Sequence, residues 1–332
     1  MKHINVALFV PDLGCPHRCS FCNQKTISGR QTPIDVSDIE KAVETALSTA
    51  ECNEGEIAFF GGSFTSIDKA YMLRLLKKAN EYVSRGLFRG IRISTRPDCI
   101  NEEILDILIA HGVSSIELGC QSMDDGVLSM NNRGHTSDSV VRAAKLIKDY
   151  GLELGVQMMT GLYGDTREKS IETAKKLIAL KPDTARIYPT VVLEGTELER
   201  LYRKGEYAPQ SIEEATELCA ELLMMFSRNN IRVIRLGLHS GGNVEEGYVA
   251  GVYHPAFREL CESRIYLDIT EKELEANGLS GGEIEITVGN RYVSMLTGQK
   301  RSNIKLLENK GYKVRIVQDS AYPKYKIKVR GI

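Results

Sequence analysis

The stretch Gly14-Cys15-Pro16-His17-Arg18-Cys19-Ser20-Phe21-Cys22-Asn23 follows closely on the apolar run Ile4 to Val10. It sets three thiols at spacings of four and three in the loop that leaves this first expected strand. Iron–sulfur clusters are commonly held by four cysteine thiolates, so three ligands in one loop leave one iron of a four-iron cubane open to another molecule. Cys15, Cys19 and Cys22 are therefore the expected metal ligands. Two other readings stand beside this one: a zinc site that borrows His17, and loop thiols with no shared role. Zinc motifs usually add a second, distant cysteine pair, and no second pair of that kind follows. Cys52, Cys99, Cys120, Cys219 and Cys261 are scattered singly among apolar or helical patterns. Buried thiols are common in such settings, and these five are expected to be structural.

Outward from the cysteine loop, short apolar runs alternate with longer amphipathic ones, the pattern of repeated strand–helix units and a parallel sheet. The expected strands are Ile4 to Val10, Glu56 to Phe60, Ile91 to Thr95, Ser115 to Gly119, Leu152 to Met159, Thr184 to Tyr188 and Ile231 to Leu236. Between them, Ser37-Asp38-Ile39-Glu40 reads as a capping box opening a helix whose inner face is Ile39, Val43, Ala46 and Leu47. Asn101 is placed to cap the run Ile104, Leu105, Leu108, Ile109 that stops at Gly112, and Ser211 with Glu214 opens another helix reaching about Arg228. Such repeats suit either a doubly wound sheet or a partial or full barrel, and periodicity does not separate them.

The chain has 332 residues, 42% hydrophobic and 26% charged, enough for one large domain or two unequal ones. The pattern changes after Gly237, so a smaller domain is expected to begin near residue 240, dividing the chain into 1–240 and 241–332. No apolar run approaches the ~20 residues of a membrane span, and Met1-Lys2-His3-Ile4-Asn5 lacks the apolar core of a signal peptide, which predicts a cytoplasmic protein with no membrane partner. A net charge of -1 hides an asymmetry: from Lys300 to Ile332 there are ten Lys or Arg against two acids.

The three-cysteine spacing, with aromatic Phe21 just before the last cysteine, resembles the signature of the radical S-adenosylmethionine superfamily. The resemblance implies an α/β fold, a partial or full TIM-like (β/α) barrel with the cluster loop after the first strand, here followed by a small C-terminal α+β domain. It also implies a 4Fe-4S cluster and S-adenosyl-L-methionine as cofactors, with Phe21 in the cofactor loop. In that family the open iron binds the methionyl end of the cofactor, and one-electron reduction, from a donor such as flavodoxin or ferredoxin, yields a 5′-deoxyadenosyl radical. Phe59-Phe60-Gly61-Gly62-Ser63-Phe64-Thr65 ends the second strand, where Gly61, Gly62 and Ser63 would meet the cofactor's amino end. Glu117-Leu118-Gly119-Cys120-Gln121-Ser122 and Asn132-Arg133-Gly134-His135 follow; by resemblance Gln121 would reach the ribose hydroxyls and Arg133 the methionyl carboxylate. Gln157 on the fifth strand would face the same molecule.

The segments Ser94-Thr95-Arg96-Pro97-Asp98, Glu117 to His135 and Arg186-Ile187-Tyr188-Pro189-Thr190 narrow the resemblance to the radical domain of the Elongator catalytic subunit, over roughly residues 3 to 235. That family modifies wobble uridine in transfer RNA and carries an additional acetyltransferase-like domain. The residues after 240 leave no room for that domain, and Ser94 stands where many relatives have a ribose-binding glutamate, so acetyl-CoA chemistry is not expected and the ribose contact is altered. Tyr292 to Ile304, then Leu306, Leu307 and Val314 to Val317, reads as loop, helix, strand and loosely resembles a KH module, with Arg301 in place of the second glycine of its backbone-clamping loop. Lys300, Arg301 and Lys305 would then contact tRNA phosphates; a solvated lysine face on a structural cap accounts for the same charges. Three alternatives to an RNA-modifying enzyme stand: a porphyrin or small-molecule enzyme resembling oxygen-independent coproporphyrinogen oxidase, an RNA-binding protein without catalysis, and a structural zinc protein.

Overall fold

The computed structural model describes residues 5–10, 15, 18–28, 32–49, 51–238 and 244–332. Met1 to Ile4, Gly14, Pro16 and His17, named in the sequence reading, lie outside the described residues. The chain divides into two units, residues 1–210 with 226–252 and residues 211–225 with 253–332. In the first, each apolar run becomes a strand: β1 (Asn5–Val10), β2 (Glu56–Gly61), β3 (Gly90–Thr95), β4 (Val113–Gln121), β5 (Glu153–Thr160), β6 (Thr184–Pro189), the short β7 (Val191–Leu193), β8 (Arg232–Leu236) and β9 (Tyr248–Gly251).

Seven of these form one parallel sheet in the order β1-β2-β3-β4-β5-β6-β8, and β7 pairs antiparallel with β9. Strand order therefore equals chain order. A doubly wound sheet needs a point where the order reverses, and none occurs here, so the crossovers wind in one direction as they do in a barrel. β1 and β8 remain as edges, which makes the fold a partial barrel and sets aside the closed one and the doubly wound sheet. Ile57, Phe59, Ile91, Ile93, Ile116 and Leu118, all fully buried, alternate along β2 to β4 and pack one sheet face against the crossover helices.

The helix ends follow local chemistry. Asn101 Oδ1 accepts from Ile104 N at 2.9 Å, and Ser211 and Glu214 bond reciprocally at 3.1 and 2.8 Å. The capping box expected at Ser37 and Glu40 is corrected: the helix Val36–Thr49 begins one residue earlier, and Asp38 Oδ2 accepts from Asp35 N at 2.9 Å. Asp38, in the first turn, reaches back to its own helix start, while the Glu40 side chain pairs with Lys78 at 2.7 Å.

The second unit holds β10 (Gly282–Val288), β11 (Tyr312–Gln318) and β12 (Ile327–Gly331) in the order β11-β10-β12, with β10 and β11 parallel and β12 antiparallel. Ile284, Ile286 and Val288 pack with Tyr266 and Leu274 of the helix Phe257–Ala276 and with Leu296, Leu307 and Val329. The expected loop, helix, strand at Tyr292 to Val317 holds one more element: two helices, Val293–Thr297 and Ser302–Asn309, joined by Gly298 to Arg301. Gly298 (φ 74°), Lys300 (φ 51°) and Arg301 (φ 62°) are left-handed there, and a Cβ on Gly298 would lie 2.4 Å from Ser302 Oγ. Arg301 thus holds, as the residue before the second helix, a backbone conformation that glycine adopts most readily. Among the described residues no helix is long and apolar enough to cross a membrane.

Candidate functional site

The cysteine loop is anchored by apolar packing and by one asparagine. Phe21 is buried with Val127, Leu162, Val192, Leu198, Leu201 and Tyr207, and Cys19 and Cys22 are partly buried against this cluster. Ser20 N donates to Asn131 O at 3.1 Å and Ser20 Oγ to Asn131 Oδ1 at 2.6 Å, while Asn131 Nδ2 donates onward to Val127 O and Tyr163 O. Phe21 therefore acts as the wedge under the thiols. All three of Cys15, Cys19 and Cys22 are half-buried thiols.

Beyond Asn131 the chain turns sharply, with Asn132 (φ 54°) and Gly134 (φ 68°) both left-handed. The turn drives the Arg133 side chain inward, where it is buried. Arg133 Nη1 donates to Cys19 Sγ at 3.2 Å and Nη2 to Gly119 O at 2.6 Å, which ties the cysteine loop to the end of β4. A bulge between Gly119 and Gln121 breaks the β4–β5 register, and Gln121 is left-handed at φ 63°. Its side-chain oxygen accepts from Gln157 Nε2 at 3.2 Å. A Cβ on Gly119 would sit 3.2 Å from Gln121 Nε2 and 3.5 Å from Arg133 Nη2, so this glycine keeps the space in which Gln121 and Arg133 converge. Gln121, Arg133, Gln157 and Cys19 are thus brought together.

The other sequence-expected residues end the neighbouring strands. Gly61 is left-handed at φ 112°, and a Cβ there would lie 2.3 Å from Val10 O, so β1 and β2 approach this closely only with glycine. Gly62 N donates to Val10 O at 3.2 Å. Ser63 is buried, its hydroxyl 2.8 Å from Thr95 Oγ1 and accepting from Arg96 N at 3.2 Å; Thr65 Oγ1 lies 2.6 Å from the same Thr95 oxygen. The Ser63 side chain is thus occupied in joining the ends of β2 and β3.

Sequence reasoning missed a chain of buried charges on the polar face of the sheet. Arg92 Nε donates to Glu56 Oε2 at 2.6 Å, Arg92 Nη1 lies 3.4 Å from Glu117, and Arg186 Nη2 donates to Glu117 Oε1 at 2.8 Å. Glu117 reaches Arg186 across β5 because Gly155 leaves the way clear; a Cβ there would be 2.8 Å from Glu117 Cγ. Burial alone would raise the Glu56 pKa, but Arg92, Ser115 and Arg89 outweigh it and hold the carboxyl below its ordinary value. Burial would likewise depress Arg186, and Glu117 with the Tyr188 hydroxyl outweighs it. Arg186 also lies over the Phe60 ring at 4.5 Å. The available signal was charge inside strand patterns at Glu56, Arg92, Glu117 and Arg186.

His135 completes the surroundings. Its Nε2 lies 3.3 Å from Cys120 O; a carbonyl only accepts, so Nε2 carries the proton and Nδ1 is left buried without a partner. Burial, with the Arg133 charge beside it, lowers the His135 pKa to about 4.

The donor set suits an iron–sulfur cluster with a polar, amino-acid-like ligand: three thiols in one loop, a buried arginine whose Nε has no partner, and left-handed or glycine backbone at both strand ends. Among the described residues no three His, Cys, Asp or Glu side chains converge as for a single metal ion. A cubane is larger than an ion, and its thiolates need not meet at a point.

The Radical SAM superfamily profile matches residues 10–177, and that of the Radical_SAM C-terminal domain matches residues 182–267. A tRNA uridine(34) acetyltransferase of Methanocaldococcus jannaschii is 31% identical over 209 residues, covering 57% of this chain and 37% of that protein. Human Elongator complex protein 3 is 30% identical over 190 residues, covering 51% of this chain and 35% of that protein. The structure of archaeal Methanocaldococcus infernus Elp3 with an N-terminal deletion shares the fold, with a TM-score of 0.62 at 22% identity over 88% of this chain and 68% of that one. The chain spans little more than a third of the length of these two curated relatives.

Proposed function

Given that the chain belongs to the radical S-adenosylmethionine superfamily and is an enzyme of that kind, we propose that Cys15, Cys19 and Cys22 hold its 4Fe-4S cluster and that it modifies transfer RNA. The observation that carries the cofactor reading is the Arg133 bridge, which joins a cluster thiol to the strand end bearing Gln121 and Gln157. When bound, the cluster and S-adenosyl-L-methionine supply a 5′-deoxyadenosyl radical by one-electron reductive cleavage. The electron comes from a donor such as flavodoxin or ferredoxin.

The chain's own residues orient and shield. Backbone groups at Gly61 and Gly62 receive the cofactor's amino group, the side-chain amides of Gln121 and Gln157 its ribose hydroxyls, and Arg133 Nε its carboxylate. Ser63 serves by ordering Thr95, and Phe21 by excluding water beneath the thiols. The RNA reading is supported by relatives named for tRNA uridine and by the positive charge gathered after Lys300. Here residues 1–240 would be the radical domain and 241–332 a KH-like accessory domain. Lys300, Arg301 and Lys305 would hold phosphates at the start of the helix Ser302–Asn309.

The test is anaerobic reconstitution followed by iron, sulfide and 5′-deoxyadenosine assays. Wild-type protein should hold a four-iron cluster and cleave the cofactor slowly when reduced; Cys15→Ala, Cys19→Ala and Cys22→Ala should do neither. Full cluster content in all three variants would sink the reading. For the RNA half, replacing Lys300, Arg301 and Lys305 by alanine should flatten the dependence of tRNA affinity on salt by about 0.7 in log–log slope per lost phosphate contact. An unchanged slope would remove this loop from the interface.

A further inference from the structure

Among the described residues three arginines are almost fully buried: Arg92 at 2% exposure, Arg96 at 4% and Arg133 at 6%. Two of them have carboxylate partners. Arg92 is paired with Glu56 at 2.6 Å, and Arg96 is gripped by Asp98 through Nε at 3.0 Å and Nη2 at 2.9 Å. Among the described residues no carboxylate pairs with Arg133, whose donors go to Cys19 Sγ and to Gly119 O. Burying a cation without an anion is costly, and the turn at Asn132 and Gly134, with the opening kept by Gly119, holds it buried all the same. The acceptor within reach is the Cys19 sulfur, which bears negative charge once it binds iron.

We infer that Arg133 is the counter-ion of the iron–sulfur cluster and raises its reduction potential by donating to the Cys19 sulfur. The inference rests on the reading of Cys15, Cys19 and Cys22 as cluster ligands. Reduction adds one electron to a cluster that three thiolates already make anionic. A fixed cation at one ligand sulfur therefore favours the reduced form, since the net charge and the hydrogen bonds to sulfur set the potential of such clusters. Carboxylate capture by Nε and sulfur donation by Nη1 use different atoms of one guanidinium, so Arg133 serves both. The neutral donor on the same loop, Gln24 Nε2 at 3.2 Å from Cys22 Sγ, orients its sulfur but adds no charge.

The deciding measurement is an anaerobic redox titration followed by electron paramagnetic resonance, without S-adenosyl-L-methionine, on reconstituted wild type, Arg133→Lys and Arg133→Met, each with its iron and sulfide determined. Arg133→Met, loaded with four irons, should show about a tenfold lower equilibrium constant for one-electron reduction, about 59 mV more negative. Arg133→Lys, which keeps the charge, should stay within about threefold of wild type by the same relation. If Arg133→Met does not take up iron, Arg133→Gln, polar but uncharged, replaces it with the same expected shift. An unchanged potential in a fully loaded uncharged variant overturns the inference. Wild-type protein without a four-iron cluster would overturn the ligand reading itself, a separate outcome recognised by its iron content alone.

Discussion

The large parallel sheet and the three-stranded sheet of the small unit handle charge differently. In the half-barrel, Glu56, Arg92, Glu117 and Arg186 sit inside the fold on the polar sheet face and satisfy one another across four strands. In the small unit the apolar side of the sheet is Ile284, Ile286 and Val288, while on its other face Glu285 is covered by the exposed Arg315 and Arg330, with Arg330 2.6 Å from Glu285. A dry apolar core stabilises cheaply and tolerates small changes of volume; a buried ionic chain costs desolvation on every member and tolerates the loss of none. Both units bury carboxylates, but in the small one Glu262 and Glu285 pair with cations that reach them from the surface, whereas the unit that carries the cysteine loop buries the arginine Arg92 together with its carboxylates. Keeping that sheet face polar costs desolvation that an apolar face would avoid.

The contrast can be broken at its strongest point first. Arg92→Met should take from the buried Glu56 its closest cation, leaving Arg89 and the Ser115 hydroxyl, and lower the unfolding free energy by about 3–5 kcal/mol, read by urea denaturation. The double variant with Glu56→Gln should recover much of that loss, because it removes the poorly compensated charge; no recovery would mean that Arg92 contributes packing rather than charge balance.

A second probe is acid. The folded pKa of His135 is about 4, below the ordinary 6.5, so the unfolded chain binds the extra proton between these values and stability should fall as pH drops from 6.5 towards 4, by at most about 1.4 kcal/mol per pH unit. The depressed carboxyl of Glu56 acts in the same direction lower down: its contribution is present above the ordinary 4.5 and lost as pH falls through the folded value. Urea midpoints measured across this range should lose the upper slope in His135→Asn. If that variant keeps the slope, another group carries it. The smallest effect is expected in the small unit. Ile286→Val should cost only about 0.5–1.5 kcal/mol, with no dependence on pH, because it removes volume and no charge.

Much of the half-barrel was legible because one face of each strand is continuously apolar: Ile57 and Phe59, Ile91 and Ile93, and Ile116 and Leu118 announce their strands without help from the rest of the chain. The cysteine loop was legible for a similar reason, since its spacing is local. The charged interior was hidden by that very alternation. In Glu56-Ile57-Ala58-Phe59 the one polar position, Glu56, reads as the wet side of a half-buried strand, and only tertiary pairing with Arg92 turns it inward. Asn131 escaped notice because an asparagine before a turn is ordinary, and what makes it matter is a contact with Ser20, 111 residues away in the chain. At Ser37 the composition of a capping box was present, but Asp38 was better placed to bond the backbone of Asp35.

Gln121 holds a left-handed backbone that a side chain of its kind rarely adopts, at a cost on the order of 1 kcal/mol. Selection for thermal robustness alone would therefore drift this position towards glycine, which occupies the same turn freely. A lineage that drifted so would gain a sturdier scaffold and lose the amide that meets Gln157. With the cofactor role proposed for Gln121, a stabilised version of this protein should leave that residue untouched.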